Sequence, residues 1–298
     1  MSDWGKGVNN NIGWGQGANN DIGWGSIYDK SFSGDTLLGG IDPQAQAQIT
    51  RIQNAGGTIE DANVIDADIK FLKSIGLFGN LKYAVDPRAG IKQRVDGSDT
   101  FVSKIFDYSG SDADTANATG SAQPKKGILN GVTSLDFDGV NDQLTNTNTV
   151  SFLAGEEMFS IAVYAQDFNG SDFFGMMVDK FSPDLGGKNF GRGNDDISVF
   201  ATNPSLSFTT YQNVQIIASG TATTSNLLTG FINNVQSGNA STTAVNYIGK
   251  TFGNIRGVRT GAFFAKGKFQ KNWDFNALPT PSQAAAINTY LTNQFNIS

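Results

Sequence analysis

The chain has 298 residues with 36 glycines, a charged fraction of only 16% and a formal net charge of -6, which describes a turn-rich, β-leaning protein and not a helical bundle. It has no cysteine and no histidine, so disulfide frameworks, thiol chemistry, His-based nucleophilic triads and Cys- or His-type metal sites are excluded together. The scattered Lys and Arg, outnumbered by Asp and Glu, exclude nucleic acid as a partner, because neutralising phosphates needs clustered cations.

The chain opens on a repeat. Trp4-Gly5-Lys6-Gly7-Val8-Asn9-Asn10-Asn11-Ile12-Gly13 is followed by Trp14-Gly15-Gln16-Gly17-Ala18-Asn19-Asn20-Asp21-Ile22-Gly23 and then Trp24-Gly25. The period of ten is even, so in an extended chain every repeat presents the same face. Trp4, Val8, Ile12, Trp14, Ala18, Ile22, Trp24 and Tyr28 share one parity, while the other is almost entirely Gly and Asn up to Gly25. A ribbon this thin cannot bury its own tryptophans. It reads as an arm that lies in a groove of a larger assembly or intertwines with copies of itself; the alternative is a flexible Gly/Asn-rich leader or a strand folded back on its own domain. The start Met1-Ser2-Asp3-Trp4-Gly5 has no basic residue leading into an apolar run, so no secretory signal is expected. Nor does any segment approach the roughly 18–20 apolar residues of a membrane helix.

From Ile41 to about Leu81 the pattern becomes helical. Asp42 caps a helix opening at Pro43, with Ala45, Ile49 and Ile52 on one stripe and Gly56-Gly57 as its stop. Thr58 is the expected cap of a second helix, whose stripe is Ala62, Ile65, Ile69 and Leu72 and whose end is Gly76. The pair is either a helical spacer or an extension packed on the main domain.

Beyond Pro87, short alternating strands dominate: Leu135 and Phe137 before the turn at Asp138-Gly139, then Phe159, Ile161, Val163 and Ala165, then Ile197 to Phe200, Val214 to Ala218, Phe231 to Val235, Tyr247-Ile248-Gly249 and Gly261 to Phe269. Their spacing predicts a mainly β fold, a two-sheet antiparallel jelly-roll sandwich. A terminal helix follows, with Thr280, Pro281 and Gln283 as a capping box and Ile287, Tyr290 and Leu291 as its buried stripe.

Two resemblances arise from these residues. Ser134-Leu135-Asp136-Phe137-Asp138-Gly139-Val140-Asn141-Asp142 resembles the strand and Phe-Asp-Gly turn of the concanavalin A-like, laminin G-type jelly-roll family. Phe106-Asp107-Tyr108-Ser109-Gly110 upstream, the hairpin around Asn233-Asn234 and the closing Leu278, Pro281, Ala286-Ile287 and Tyr290-Leu291 are similar to other parts of it, covering roughly residues 91–298. The repeat, with Ser31-Phe32-Ser33-Gly34-Asp35-Thr36 and the helical stretch after it, resembles fibre and other particle proteins of tailed phages that infect Bacteroidetes, including crAss-like phages. That second resemblance implies a virion location.

Catalysis on such a fold would require a pair of carboxyl groups flanking a glycosidic bond. The glutamates are Glu60, Glu156 and Glu157 only, and no Glu-x-Asp-x-Glu strand motif occurs. Asp172, Asp179, Asp195 and Asp196 have the oxygen chemistry for calcium but match no loop signature; they read as solvated turn residues with no cofactor expected, and a calcium site is the alternative. Trp273 and Phe275 are the candidate glycan-stacking platform; the competing assignment makes them aromatics covering the core edge.

These readings combine into one expectation: a non-enzymatic attachment protein of the virion, assembled in the host cytoplasm. Residues 1–28 form the anchoring arm, 29–90 a helical spacer and 91–298 the jelly roll. The anchoring residues are Trp4, Ile12, Trp14, Ile22, Trp24 and Tyr28. Expected partners are other capsid or tail proteins, further copies as a homotrimer or homodimer, and a host surface glycan, with no membrane insertion. The rival functions are a glycan depolymerase on the same fold and a purely architectural decoration.

Overall fold

The computed structural model describes residues 40–146, 150–151, 156–166, 174–178, 189–193, 196–199, 206–207, 215–222, 228–233, 235–236, 251–252, 255–256 and 266–297. Asp42–Ser298 forms one compact unit. The anchoring residues named above lie outside the described residues, as do Asp172, Asp179, Asp195 and the segment Tyr247-Ile248-Gly249.

Helix α1 spans Pro43–Asn54 and opens as expected: the Asp42 carboxylate accepts from the Gln44 amide at 2.9 Å, and Ala45, Ile49 and Ile52 are buried. Helix α2 spans Ala62–Ser74, and its cap differs from the expected Thr58. Asp61 accepts from the Asn63 amide at 3.0 Å and performs that role. Thr58 is engaged elsewhere, exchanging both backbone hydrogen bonds with Ile91 at 2.7 and 2.9 Å, which leaves it extended and outside the helix. The α2 stripe Ile65, Ile69 and Leu72 is fully buried, and with it go two aspartates, Asp66 and Asp68.

The strands follow in chain order. β1 is Leu81–Val85, β2 Ile91–Asp96, β3 Asp99–Ile105, β4 Thr115–Ala116, β5 Lys125–Leu129 and β6 Val132–Asp138. β7 is Gln143–Asn146, β8 Val150–Ser151, β9 Met158–Gln166, β10 Phe174–Val178, β11 Asn189–Gly193, β12 Asp196–Val199 and β13 Leu206–Ser207. β14 is Ile216–Ala222, β15 Leu228–Ile232, β16 Val235–Gln236, β17 Thr251–Phe252, β18 Ile255–Arg256 and β19 Lys266–Phe275. Helix α3, Pro281–Phe295, follows; its Thr280 and Gln283 form the expected capping box and its buried residues are Ile287, Leu291 and Phe295, with Tyr290 only half-buried.

The fold is mainly β, an antiparallel jelly-roll sandwich. Among the described residues its strands join into one curled 13-stranded sheet in the order β16-β15-β14-β9-β19-β6-β5-β3-β4-β7-β18, with β1 also on β19 and β2 on β3. β10 to β13 form a separate four-stranded sheet, and β8 pairs with β17. Every pairing among the described residues is antiparallel, as hairpin-connected strands allow.

β19 is the hub. It pairs along its whole length with β9, while its other edge meets β6 from Lys266 to Phe269 and β1 from Asn272 to Phe275. A β-bulge interrupts it: Phe269 pairs with Tyr164, but Lys271 pairs with the adjacent Val163. Because side chains alternate along β9, the extra residue puts Phe269 and Lys271 on opposite faces, although a regular strand would put them on the same one. Phe269 joins the core with Leu135 and Phe137, and Lys271 turns toward α2 and α3.

The Asp138-Gly139 turn explains the Phe-Asp-Gly phrase. Asp138 accepts from the Val140 amide at 2.7 Å, and Asp142 accepts from the Asp138 amide at 2.9 Å. Gly139 has φ +79, and a Cβ there would lie 2.9 Å from the Lys266 Cβ, so the turn and the approach of β19 both require glycine.

Candidate functional site

Leu135 and Phe137 of β6 point into the core, so the alternating Asp136 must point the other way. Following the register outward from Asp136 gives a row of directly opposed residues on one sheet face: Arg94 on β2, Phe101 on β3, Lys125 on β5, Asp136 on β6 and Lys268 on β19. Directly opposed residues share a face and touch. The Arg94 guanidinium carbon lies 4.5 Å from the Phe101 ring centroid and the Lys125 ammonium 5.7 Å from it. Lys268 forms an ion pair with Asp136. Side-chain exposure is 36% at Arg94, 51% at Lys125, 29% at Asp136 and 37% at Lys268, so the row is open to solvent.

Each cation of this row has its own carboxylate: Arg94 with Asp96 at 2.9 Å, Lys125 with Asp99 at 2.7 Å and Lys268 with Asp136. Arg94 is further held by the Gln123 amide oxygen at 2.9 Å and the Gly120 carbonyl at 2.8 Å. The Asp136 carboxylate lies across Gly127, where a Cβ would meet its oxygen at 2.1 Å, so glycine on β5 makes room for it. The result is a charge-balanced surface offering donors, acceptors and one partly exposed ring side by side. Such a surface suits a polyhydroxylated, uncharged ligand better than a polyanion. None of these five residues was singled out from the sequence, yet the signal existed in the parity of Leu135-Asp136-Phe137.

On the same sheet face, beyond the bulge, the helices cover a different cluster. Trp273 and Phe275 lie there, and both are fully buried. The assignment of these two as a glycan-stacking platform is therefore corrected: the Trp273 ring packs at 6.1 Å on Tyr290 and edge-on at 6.3 Å to Phe275, and its indole N–H donates to the Tyr108 hydroxyl at 3.0 Å. Phe275 stacks on Phe159 at 5.7 Å. No ring face is left for a sugar.

Around Trp273 sits the most concentrated buried charge among the described residues. The Lys271 ammonium, 1% exposed, donates to Asp68 at 2.6 Å and to the Gln294 amide oxygen at 2.7 Å, and lies 3.3 Å from Asp86. Asp68 also accepts from the hydroxyls of Tyr108 at 2.6 Å and Tyr290 at 2.8 Å and from the Gln294 amide at 3.1 Å. Asp86 is paired with Arg88 at 2.6 Å. Burial pushes the Lys271 ammonium down, an effect that Asp68 and Asp86 only partly offset. Burial would raise Asp86, but Arg88 and then Lys271 beside it hold its carboxyl below the ordinary range.

The Phe106-Asp107-Tyr108-Ser109-Gly110 phrase folds around a third carboxylate. Asp107, fully buried, accepts from the amides of Ala84 at 2.9 Å, Ser109 at 2.9 Å and Ala113 at 3.0 Å, and from the Ser109 hydroxyl at 2.9 Å. Burial outweighs these hydrogen bonds and pushes its pKa up from 3.8 to about 6. The folded protein thus holds this proton more tightly than the unfolded chain. The stability contributed by protonated Asp107 is complete below the ordinary value and is lost as the pH rises through about 6. A carboxyl-carbon NMR titration of Asp107 is expected to show a midpoint near 6; a midpoint at or below 3.8 would mean that the hydrogen bonds dominate instead.

Two of the three glutamates make structural contacts. Glu60 accepts from the Thr133 hydroxyl at 2.6 Å and pairs with Lys126 at 2.9 Å, and Glu156 accepts from Asn276 at 2.6 Å and faces Lys82 at 3.5 Å. Among the described residues no three Asp or Glu side chains gather as a metal-binding set, and no helix is long and apolar enough to cross a membrane.

No protein-family profile matches the chain, and no curated protein sequence is significantly similar to it. Solved structures are similar in fold. They include a Trypanosoma rangeli sialidase at 10% identity, covering 80% of this chain and 40% of that one with a TM-score of 0.53. The same enzyme in complex with sialic acid matches at 11% identity, 74% and 34% coverage and a TM-score of 0.51. The binding domain of paraclostridial mosquitocidal protein 1 matches at 12% identity, 72% and 53% coverage and a TM-score of 0.50. The chain spans less than half of the sialidase and about half of the toxin domain, and at these identities the likeness shows the fold alone.

Proposed function

We propose that this protein is a non-catalytic adhesion module that contacts a neutral glycan through the sheet face bearing Arg94, Phe101, Lys125, Asp136 and Lys268. The observation that carries the reading is the charge-balanced row itself: an accessible ring flanked by paired donors and acceptors, on a fold it shares with a toxin binding domain and a sialidase. The engagement of Glu60 and Glu156 in structural contacts supports binding over hydrolysis. The Trp-Gly repeat and its likeness to phage particle proteins support a place on the virion, with residues 1–28 as the anchor and several copies acting together, since multivalency raises weak sugar affinity.

Glycan-array binding by the full chain, compared with Phe101→Ala, tests the site. Removing the ring forfeits about 1 kcal/mol of stacking, so affinity is expected to fall several-fold to tenfold while the circular dichroism spectrum stays unchanged. Deleting residues 1–28 is expected to leave glycan binding intact and abolish co-purification with particles. An array with no retained neutral glycan, or a Phe101→Ala chain that binds as well as the parent, would refute the site.

A further inference from the structure

The Lys271 cluster contains more than an ion pair requires. We propose that Lys271 and Asp68 condense into an intramolecular amide cross-link, with Asp86 as the proton carrier. Three features of the geometry point that way.

The first is proximity. The Lys271 nitrogen lies 2.6 Å from Asp68 Oδ2, which brings the carboxyl carbon of the same group close to the separation of roughly 3–3.5 Å from which attack proceeds. Both side chains are sealed from solvent, at 1% and 0% exposure, so no water competes with the amine.

The second is the set of donors on the carbonyl. Oδ1 of Asp68 receives hydrogen bonds from the Tyr290 hydroxyl at 2.8 Å and the Gln294 amide at 3.1 Å. Two fixed donors on one carbonyl oxygen form the arrangement that stabilises the oxyanion of an acyl-transfer intermediate. Gln294 also accepts from the Lys271 ammonium through its own oxygen at 2.7 Å, so a single amide holds both reacting groups in place. The other oxygen, Oδ2, receives the Tyr108 hydroxyl at 2.6 Å, and Tyr108 is fixed in turn by the Trp273 indole.

The third is Asp86, 3.3 Å from the Lys271 nitrogen and kept anionic by Arg88 at 2.6 Å. A buried ammonium is disfavoured by desolvation, and the fall in the Lys271 pKa follows from that.

The reaction balances without any co-reactant. A proton passes from the ammonium to Asp68 Oδ2, giving an amine and a carboxylic acid. The amine lone pair attacks the carboxyl carbon and the π electrons move to Oδ1, between Tyr290 and Gln294. Asp86 takes the second nitrogen proton and returns it to Oδ2. Collapse of the intermediate breaks the C–O bond and releases one water, leaving an amide between Lys271 Nζ and Asp68 Cγ. The residues joined stand 203 positions apart in the chain.

Intact-mass spectrometry of the full chain, purified folded and then denatured, is expected to give the sequence mass less one water. A tryptic digest is expected to contain a branched peptide joining the segments around Asp68 and Lys271, uncleaved after Lys271. The branch distinguishes the cross-link from a cyclic imide at an Asp-Gly step, which loses the same mass but contains no branch and reopens in mild base. Asp86→Asn, close to isosteric, is expected to keep the fold while the species with intact sequence mass accumulates. A folded parent chain that retains its full mass after prolonged incubation, or that loses water without a branched peptide, would overturn the proposal.

Discussion

Replacing Lys271 by methionine is expected to lower the free energy of unfolding by about 3–5 kcal/mol, because it strands carboxylates in a place water does not reach. Asp68 and Asp86 are both 0% exposed, and in the chain before condensation Lys271 is the cation they share. Arg88 remains for Asp86, while Asp68 would keep its two tyrosine hydroxyls and the Gln294 amide and lose the ammonium that pairs with it directly. Denaturant unfolding measures the loss. The double variant Lys271→Met with Asp68→Asn is expected to recover a large part of it, since the uncompensated charge disappears with the ammonium. A single variant that costs less than about 1 kcal/mol would show that solvent enters the cluster.

Truncating Trp273 to alanine is expected to cost a similar amount, about 3–5 kcal/mol, for a different reason. The indole is fully buried against Tyr290 and Phe275, under the Lys271 ammonium 4.7 Å from its ring, so truncation leaves a cavity at the junction of sheet and helices. Trp273→Phe retains most of the buried area and removes the hydrogen bond to Tyr108, which is worth about 1 kcal/mol. Thermal unfolding orders the three proteins as parent, Trp273→Phe and Trp273→Ala. Because neither ring face is open, Trp273→Phe is expected to bind glycan as the parent does; a selective loss of binding in a fully folded Trp273→Phe chain would restore this residue to the ligand site.

What could be read from the sequence was local. The Asp42 cap, Pro43, the α1 stripe, the α2 stripe apart from its half-buried first residue Ala62, and the Thr280-Gln283 box depend on neighbours within one or two turns, and the structure shows each. Thr58 misled because its competing partner, Ile91, is distant in the chain. Of the two assignments open to Trp273, core edge and glycan platform, the structure shows the first; local sequence does not choose between them because burial depends on what lies above the sheet, and the cover is supplied by α3 and by Tyr108 from far upstream. The bulge at Gln270 was invisible for a related reason: a Phe-Gln-Lys-Asn-Trp string carries no glycine or proline to mark it, and only the pairing with Tyr164 and Val163 reveals the slip. The candidate ligand row spans five elements, so its members adjoin only through register. One residue of it was nevertheless within reach, since Asp136 between two core residues has to point outward.

The position of β19 also governs the order in which the molecule can be built. β6, β9 and β1 are all made earlier than the strand that joins them, and β6 and β9 pair with β19 and not with each other. As a ribosome extends the chain, hairpins such as β5–β6 and β14–β15 can close as they emerge, but the middle of the sheet stays unzipped until Lys266–Phe275 arrives. Closure then relies on contacts of long sequence separation, which form slowly. Nascent chains accordingly carry one uncovered edge on β6 and one on β9 from the synthesis of Gln166 until Lys266 follows, and this is the interval in which a chaperone would be of use to them.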